Sequence, residues 1–239
     1  MFKINVVIVD DERSSREELK RALKPYTDFT IIGEARHVEE AKMLIKEKNP
    51  DLIFLDIQMP EQSGFDLLEQ LEVVPQVIFV TAFDQYAIRA FDSNALDYLL
   101  KPFREERFRH TVDKIRVKQA AIQAREHLST YTKQLFIKDG EHTYFVNPLS
   151  IYLITSADNY SKVYFDDKKV IVKRSLNQWE HILDTAIFFR VNRTQLVNTH
   201  YIQQVITLSG GRLQLILKNS TALEVSMRQS VKFRSINRI

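Results

Sequence analysis

Asp51-Leu52-Ile53-Phe54-Leu55-Asp56 is the stretch that decides the fold. Its apolar run has the composition of a strand buried on both faces, and Ile57-Gln58-Met59-Pro60 after it must be a loop. Asp56 therefore stands at the carboxyl end of a strand, where open α/β sheets place their ligands. Three other apolar runs end in the same way. Asp10 and Asp11 follow Ile4-Asn5-Val6-Val7-Ile8-Val9, Thr81 follows Val77-Ile78-Phe79-Val80, and Lys101 follows Tyr98-Leu99-Leu100. If these runs are parallel neighbours, three carboxylates, one hydroxyl and one ammonium converge on a single rim.

The charges on that rim limit its chemistry. Three adjacent carboxylates repel one another unless a cation sits among them, and oxygen-only ligands favour Mg²⁺ over softer metals. Mg²⁺ held by one or two carboxylates keeps waters and takes its other ligands from a phosphate. An aspartate can also accept a phosphoryl group covalently. Lys101 and Thr81 would then hold the phosphoryl oxygens, one as a point charge and one as a donor.

Asp10-Asp11, Asp56, Met59-Pro60 with Gly64, Thr81-Ala82 and Lys101-Pro102-Phe103 resemble, in order and spacing, the receiver domain of bacterial two-component response regulators over residues 1–118. The resemblance implies that Asp56 takes its phosphoryl group from a sensor histidine kinase. It also implies that Asp11, Asp56 and the Gln58 backbone carbonyl ligate Mg²⁺, that Asp10 acts through water, and that Tyr98 is the aromatic switch residue that turns inward with Thr81. Phosphatases of the haloacid dehalogenase type share the nucleophilic aspartate, but they carry a general acid two residues later. Gln58 occupies that position here and cannot serve. The expectation is a phosphoacceptor with at most autophosphatase activity, not an enzyme.

Two domains are the prior for 239 residues. The absence of cysteine excludes disulfides and thiolate metal sites. The start lacks a signal peptide and no apolar run approaches membrane-spanning length, so a cytoplasmic location without membrane partners is expected. Charge is uneven along the chain. Residues 1–120 carry 18 basic and 22 acidic side chains, whereas 121–239 carry 16 and 9.

Strand-length apolar runs alternate with helical patterns through the first half, predicting right-handed crossovers and a parallel five-stranded sheet in the doubly wound, flavodoxin-like order 2-1-3-4-5. The helix between the fourth and fifth strands is expected to carry Tyr86, Ile88 and Phe91, and Phe83 is expected to flank the site with Gln58. A last helix uses Phe108, Val112 and Ile115 and runs on into a linker at 119–132. Beyond Lys133 the period changes to about two, with a hairpin turn at Asp139-Gly140. Residues 133–239 read as a mainly antiparallel β domain with one helix near 176–183, capped by Ser175.

A basic β domain behind a phosphorylation switch points to a polyanion, of which DNA is the commonest. Phe188-Phe189-Arg190-Val191-Asn192-Arg193-Thr194-Gln195-Leu196-Val197-Asn198, with Ser156-Ala157-Asp158-Asn159-Tyr160 and Ser226-Met227-Arg228, is similar to the LytTR DNA-binding domain. The resemblance implies loops entering successive major grooves of double-stranded DNA at promoter repeats. The contacts would come from Asn159, Tyr160, Asn192, Arg193 and Arg228, although the family usually has His where Asn192 stands. Lys232, Lys162 and Arg234 would hold phosphates. Leu196-Val197-Asn198 is read as core and turn. The chain is thus expected to act as a homodimer on activation, phosphorylation remodelling the surface near residues 88–91 and 97–100 so that two basic domains meet two half-sites. The alternative is a phospho-regulated protein-interaction module without sequence-specific DNA binding.

Overall fold

The computed structural model describes residues 3–82, 95–126, 134–140 and 142–237. The expected helix with Tyr86, Ile88 and Phe91 lies outside them, as do Phe83 and residues 127–132 of the expected linker. Two compact units divide the chain, residues 1–147 and 148–239.

In the first unit, β1 (Ile4–Val9), β2 (Phe29–Ala35), β3 (Leu52–Leu55), β4 (Gln76–Thr81) and β5 (Asp97–Leu100) form one parallel sheet in the order β2-β1-β3-β4-β5. The strands alternate cleanly between two cores, as a period of two requires. Val7, Val9, Ile53, Leu55, Val77 and Phe79 face α2 (Val38–Lys48) and α3 (Gly64–Gln70). Ile4, Val6, Ile8, Leu52, Phe54, Ile78 and Val80 face α1 (Arg13–Leu23) and α4 (Glu105–Glu126). Both faces are covered, which is why residues 52–55 and 77–80 of the central strands are apolar throughout. On α4, Phe108, Val112 and Ile115 are buried at helical spacing, as expected.

Local sequence ends these helices. α3 opens on a capping box, Ser63 Oγ accepting from the Asp66 N–H while the Asp66 carboxylate accepts from the Ser63 N–H. α2 stops at Asn49, which takes the left-handed conformation at φ 47° immediately before Pro50.

The hairpin of β6 (Leu135–Asp139) and β7 (His142–Val146), expected to open the C-terminal domain, packs with the first unit. Phe136 stacks on Phe65 with ring centroids 6.5 Å apart, and Phe145 lies 6.4 Å from Phe79. Both rings are buried in the same cluster as Tyr98. A bridge between Val74 and Gln134 and an ion pair between Lys138 and Glu69 hold the hairpin's edges.

In the second unit, β8 (Ile151–Ala157), β9 (Tyr160–Phe165), β10 (Lys168–Val172), β11 (Phe188–Asn192) and β12 (Gln195–Asn198) form an antiparallel sheet in the order β10-β9-β8-β12-β11. α5 (Leu176–Ile182) begins at the Ser175 cap and buries Trp179, whose Nε1 donates to Ser161 Oγ at 2.7 Å. A second antiparallel sheet contains β13 (Ile202–Thr207), β14 (Leu213–Leu217) and β15 (Ala222–Glu224). Leu153, Phe189, Val191 and Val197 of the first sheet close on Leu213, Leu215, Leu217 and Leu223 of the second, with Phe233 beside them. Phe233 belongs to α6 (Met227–Asn237), where the family resemblance implied a contacting loop at Arg228. Its apolar residues do not mark one buried face, because Ser230 and Phe233 turn inward whereas Met227, Val231 and Ile236 are exposed. Ser226 followed by Gln229 matches the Ser-x-x-Gln start signal that could have found it.

Candidate functional site

The rim forms as the strand ends imply. β1, β3, β4 and β5 are neighbours in the sheet, so Asp10, Asp56, Thr81 and Lys101 leave it side by side. Lys101 is placed by its own main chain, its N–H donating to the Thr81 carbonyl at 2.8 Å. Its Nζ stands 2.6 Å from Asp10 Oδ2 and 2.6 Å from Asp56 Oδ2. The second oxygen of each carboxylate takes a main-chain donor, Glu12 N–H at 3.0 Å for Asp10 and Gln58 N–H at 3.1 Å for Asp56. Gly64 lets α3 approach, since a Cβ there would come within 2.3 Å of the Asp56 carbonyl oxygen.

Asp10, Asp11 and Asp56 each offer an oxygen within 4.8 Å of the others. Burial pushes the Asp10 carboxyl up to about 6, the neighbouring Asp56 charge adding to burial while Lys101 pulls against both. Burial alone would lower the Lys101 ammonium, but its hydrogen bonds to the two carboxylates outweigh this and raise it. A donor set of three carboxylates suits Mg²⁺ and no soft metal. Thr81 Oγ1 is buried and has no hydrogen-bond partner among the described residues. Such an orphan is unusual, and it borders the Asp56 carboxylate's strand end.

Tyr98 is 7% exposed and already lies in the cluster with Phe79, Phe136 and Phe145. The inward position that the resemblance implies for Tyr98 after phosphorylation is thus one it already holds in this structure. Asp97 is buried as well, its carboxylate held by Arg107, Thr111 and Lys114. Of residues 97–100, Leu100 is the exposed one, at 43%. Sequence reading missed Arg16, buried on the inward face of α1, which donates to the carbonyls of Asp10 and Asp11. A charged residue at a helical spacing shared with Leu19 and Leu23 was the available signal.

A second constellation forms at one end of the five-stranded sheet. Asn159 lies in the β8–β9 turn, where Asp158 takes φ 51°, and Tyr160 follows it, 45% exposed. Arg193 and Thr194 make the β11–β12 turn. The Ser156 N–H donates to the Thr194 carbonyl at 2.8 Å, joining the two turns. The Ser226 N–H donates to the Val191 carbonyl at 3.0 Å, which brings in the start of α6 with Arg228. Arg193, Arg228 and Lys232 are exposed there.

Asn192, expected to contact a base, is bonded within the protein in this structure. Its Nδ2 donates to Gln195 and to the Glu224 carbonyl, and its Oδ1 accepts from both the main chain and the hydroxyl of Thr194. Arg190 braces the same turn through the carbonyls of Asn192 and Arg193. Arg234 donates to the Gly211 carbonyl. Leu196, Val197 and Asn198 are buried.

A family model described as the response regulator receiver domain matches residues 6–113, and one described as the LytTr DNA-binding domain matches 141–237. The sensory transduction protein LytT of Enterococcus faecalis is 33% identical over 236 residues, covering 97% of this chain and 98% of that protein. The transcriptional regulatory protein BtsR of Salmonella typhimurium is 34% identical over 236 residues, covering 94% and 95%. The response regulatory domain of protein mrkE from Klebsiella pneumoniae aligns at TM-score 0.46 and 28% identity, covering 49% of this chain and 99% of that one. No helix among the described residues is long and apolar enough to cross a membrane.

Proposed function

This chain belongs to the response regulators that join a receiver domain to a LytTR DNA-binding domain, and we propose that Asp56 is the side chain through which its control of transcription is switched. The observation that carries this is the rim itself. One carboxylate is held in place by Lys101 and the Gln58 N–H, with a buried hydroxyl beside it that has no partner among the described residues.

A carboxylate oxygen of Asp56 attacks the phosphorus of a kinase phosphohistidine. The new P–O bond forms as the P–N bond breaks, and the departing imidazole takes up a proton. Asp11, Asp56 and the Gln58 carbonyl would hold Mg²⁺, with Asp10 beside them, and the bound ion would supply positive charge against the charge that builds on the phosphoryl oxygens. Lys101 gives up its bond to Asp56 and takes a phosphoryl oxygen as a point charge. Thr81 Oγ1 donates to another phosphoryl oxygen, which satisfies the buried hydroxyl. The movement of Thr81 is passed along β4 and β5 to the Tyr98 cluster.

The DNA-facing side is the end of the five-stranded sheet. Arg193, Arg228, Asn159 and Tyr160 face base edges there, Lys162 and Lys232 hold phosphates, and Asn192 with Arg190 fixes the turn that presents Arg193. Phosphorylated chains pair through the receiver, so that two such ends engage two half-sites and affinity rises without new contacts to either.

Two measurements test this. Incubation of the full chain with a small phosphodonor and Mg²⁺ is expected to add one phosphoryl group by intact mass, and Asp56→Asn is expected to add none. Selection from a random duplex library at fixed salt is expected to enrich a repeated motif. Weak, purely salt-sensitive binding with no motif would move the β domain to a protein partner.

A further inference from the structure

Arg16 is 5% exposed, yet Leu19 and Leu23 already supply the apolar packing of its face of α1. Its Nη1 donates to the Asp10 carbonyl at 2.7 Å and to the Asp11 carbonyl at 3.2 Å. Its Nε donates to Glu34 near the end of β2 at 3.1 Å, and Lys20 reaches the same carboxylate at 2.9 Å. The Asp10 N–H donates to the Ala35 carbonyl at 3.0 Å, one residue further along β2. The short segment carrying two of the three acidic ligands is thus tied to β2 from both sides. Arg16 touches only the main chain of that segment.

We propose that Arg16, anchored by Glu34, is a positioning residue for the cation site, fixing the Asp10–Asp11 peptide so that both carboxylates face Asp56. This rests on reading the acidic cluster as a Mg²⁺ site. The fork matters more than the charge: one guanidinium reaches two carbonyls and a carboxylate at once, which a lysine ammonium cannot reproduce in the same geometry. Charge by itself predicts the reverse effect. A cation buried this close to a divalent-ion site repels the ion, so removing it should tighten binding. Positioning predicts that removing it weakens binding.

The experiment is calorimetric titration of Mg²⁺ into the unphosphorylated full chain, for the parent protein and for Arg16→Met, Arg16→Lys and Glu34→Gln, with circular dichroism confirming the fold of each. Both Arg16 variants are expected to bind Mg²⁺ about ten-fold more weakly, the usual size of an effect from a group behind the ligands. Glu34→Gln is expected to shift the affinity in the same direction and by less. Phosphorylation by a small donor should recover its parent rate in the folded variants once Mg²⁺ is saturating. Unchanged or tighter Mg²⁺ binding in Arg16→Lys and Glu34→Gln overturns the proposal, whether or not Arg16→Met folds, and so does a rate deficit that persists at saturation. A parent protein that binds no Mg²⁺ instead overturns the reading of the cluster on which the proposal rests.

Discussion

Lys101 Nζ and Asp56 Oδ2 stand 2.6 Å apart, and the same ammonium lies 2.6 Å from Asp10 Oδ2. The cation is therefore committed to two carboxylates that burial would otherwise penalise, and those carboxylates lose their charge partner if it goes. Lys101→Met is expected to lower stability by about 3 kcal/mol in Mg²⁺-free buffer. Added Mg²⁺ should restore part of that loss by binding the folded state alone. Urea unfolding with and without Mg²⁺ reads both effects.

Thr81 offers the opposite case. A buried hydroxyl without a partner costs free energy and that of Thr81 has none among the described residues, so the isosteric Thr81→Val is expected to stabilise the unphosphorylated chain by about 1 kcal/mol. The same variant should show a smaller gain in DNA affinity on phosphorylation, because its side chain no longer donates to the phosphoryl group. Thermal unfolding and a DNA titration before and after phosphodonor separate the two results. A destabilised variant would mean that the hydroxyl has a partner after all.

Asp97 sets an acid limit on the first unit. Burial alone would raise its carboxyl, but hydrogen bonds from Arg107, Thr111 and Lys114 outweigh burial and hold it far below its ordinary 3.8. A depressed folded pKa stabilises fully above the ordinary value and is lost as pH falls below it. Asp97→Asn is expected to cost about 2 kcal/mol at pH 7, since it removes the charge to which the partly exposed Arg107 and Lys114 are bonded. The gap to the parent protein should narrow below about pH 4, where the unfolded carboxyl takes up a proton while the folded one is still ionised. A gap independent of pH would show that shape, not charge, sets the effect.

The turn at Arg193 separates contact from scaffold. Arg193→Ala is expected to weaken specific DNA binding by about 1–3 kcal/mol while leaving thermal stability unchanged. Asn192→Ala should weaken binding and also destabilise the second unit by about 1 kcal/mol, because it removes the side-chain bonds that hold the turn. Lys232→Ala is expected to lower affinity on all sequences and reduce the salt slope by about 1. Equal losses on specific and random duplexes for Arg193→Ala would remove it from base reading.

The rim was legible because a parallel sheet writes itself twice into the chain. Residues 52–55 and 77–80 are apolar at every position, and each run stops at a polar residue where the sheet stops. Register then brings Asp56, Thr81 and Lys101 together without further information. Arg16 was not legible, since its role comes from three partners on two elements that the chain separates. α6 was missed because it buries one aromatic and one serine, too few to show a helical period. The role of Asn192 in the turn depended on Glu224, 32 residues away, which no local motif could reveal.

The hairpin at residues 135–146 changes what counts as the receiver. The LytTR match begins at residue 141, between its two strands, whereas the fold keeps both strands with the Asp56 sheet. A fragment cut at the end of α4 would leave Phe65, Phe79 and Tyr98 without the rings of Phe136 and Phe145. That fragment would expose an apolar strip beside Tyr98, inviting self-association unrelated to phosphorylation. Dissection of this protein should therefore cut after Asn147. Pairing seen only in a shorter piece would report the location of the scissors rather than the state of Asp56.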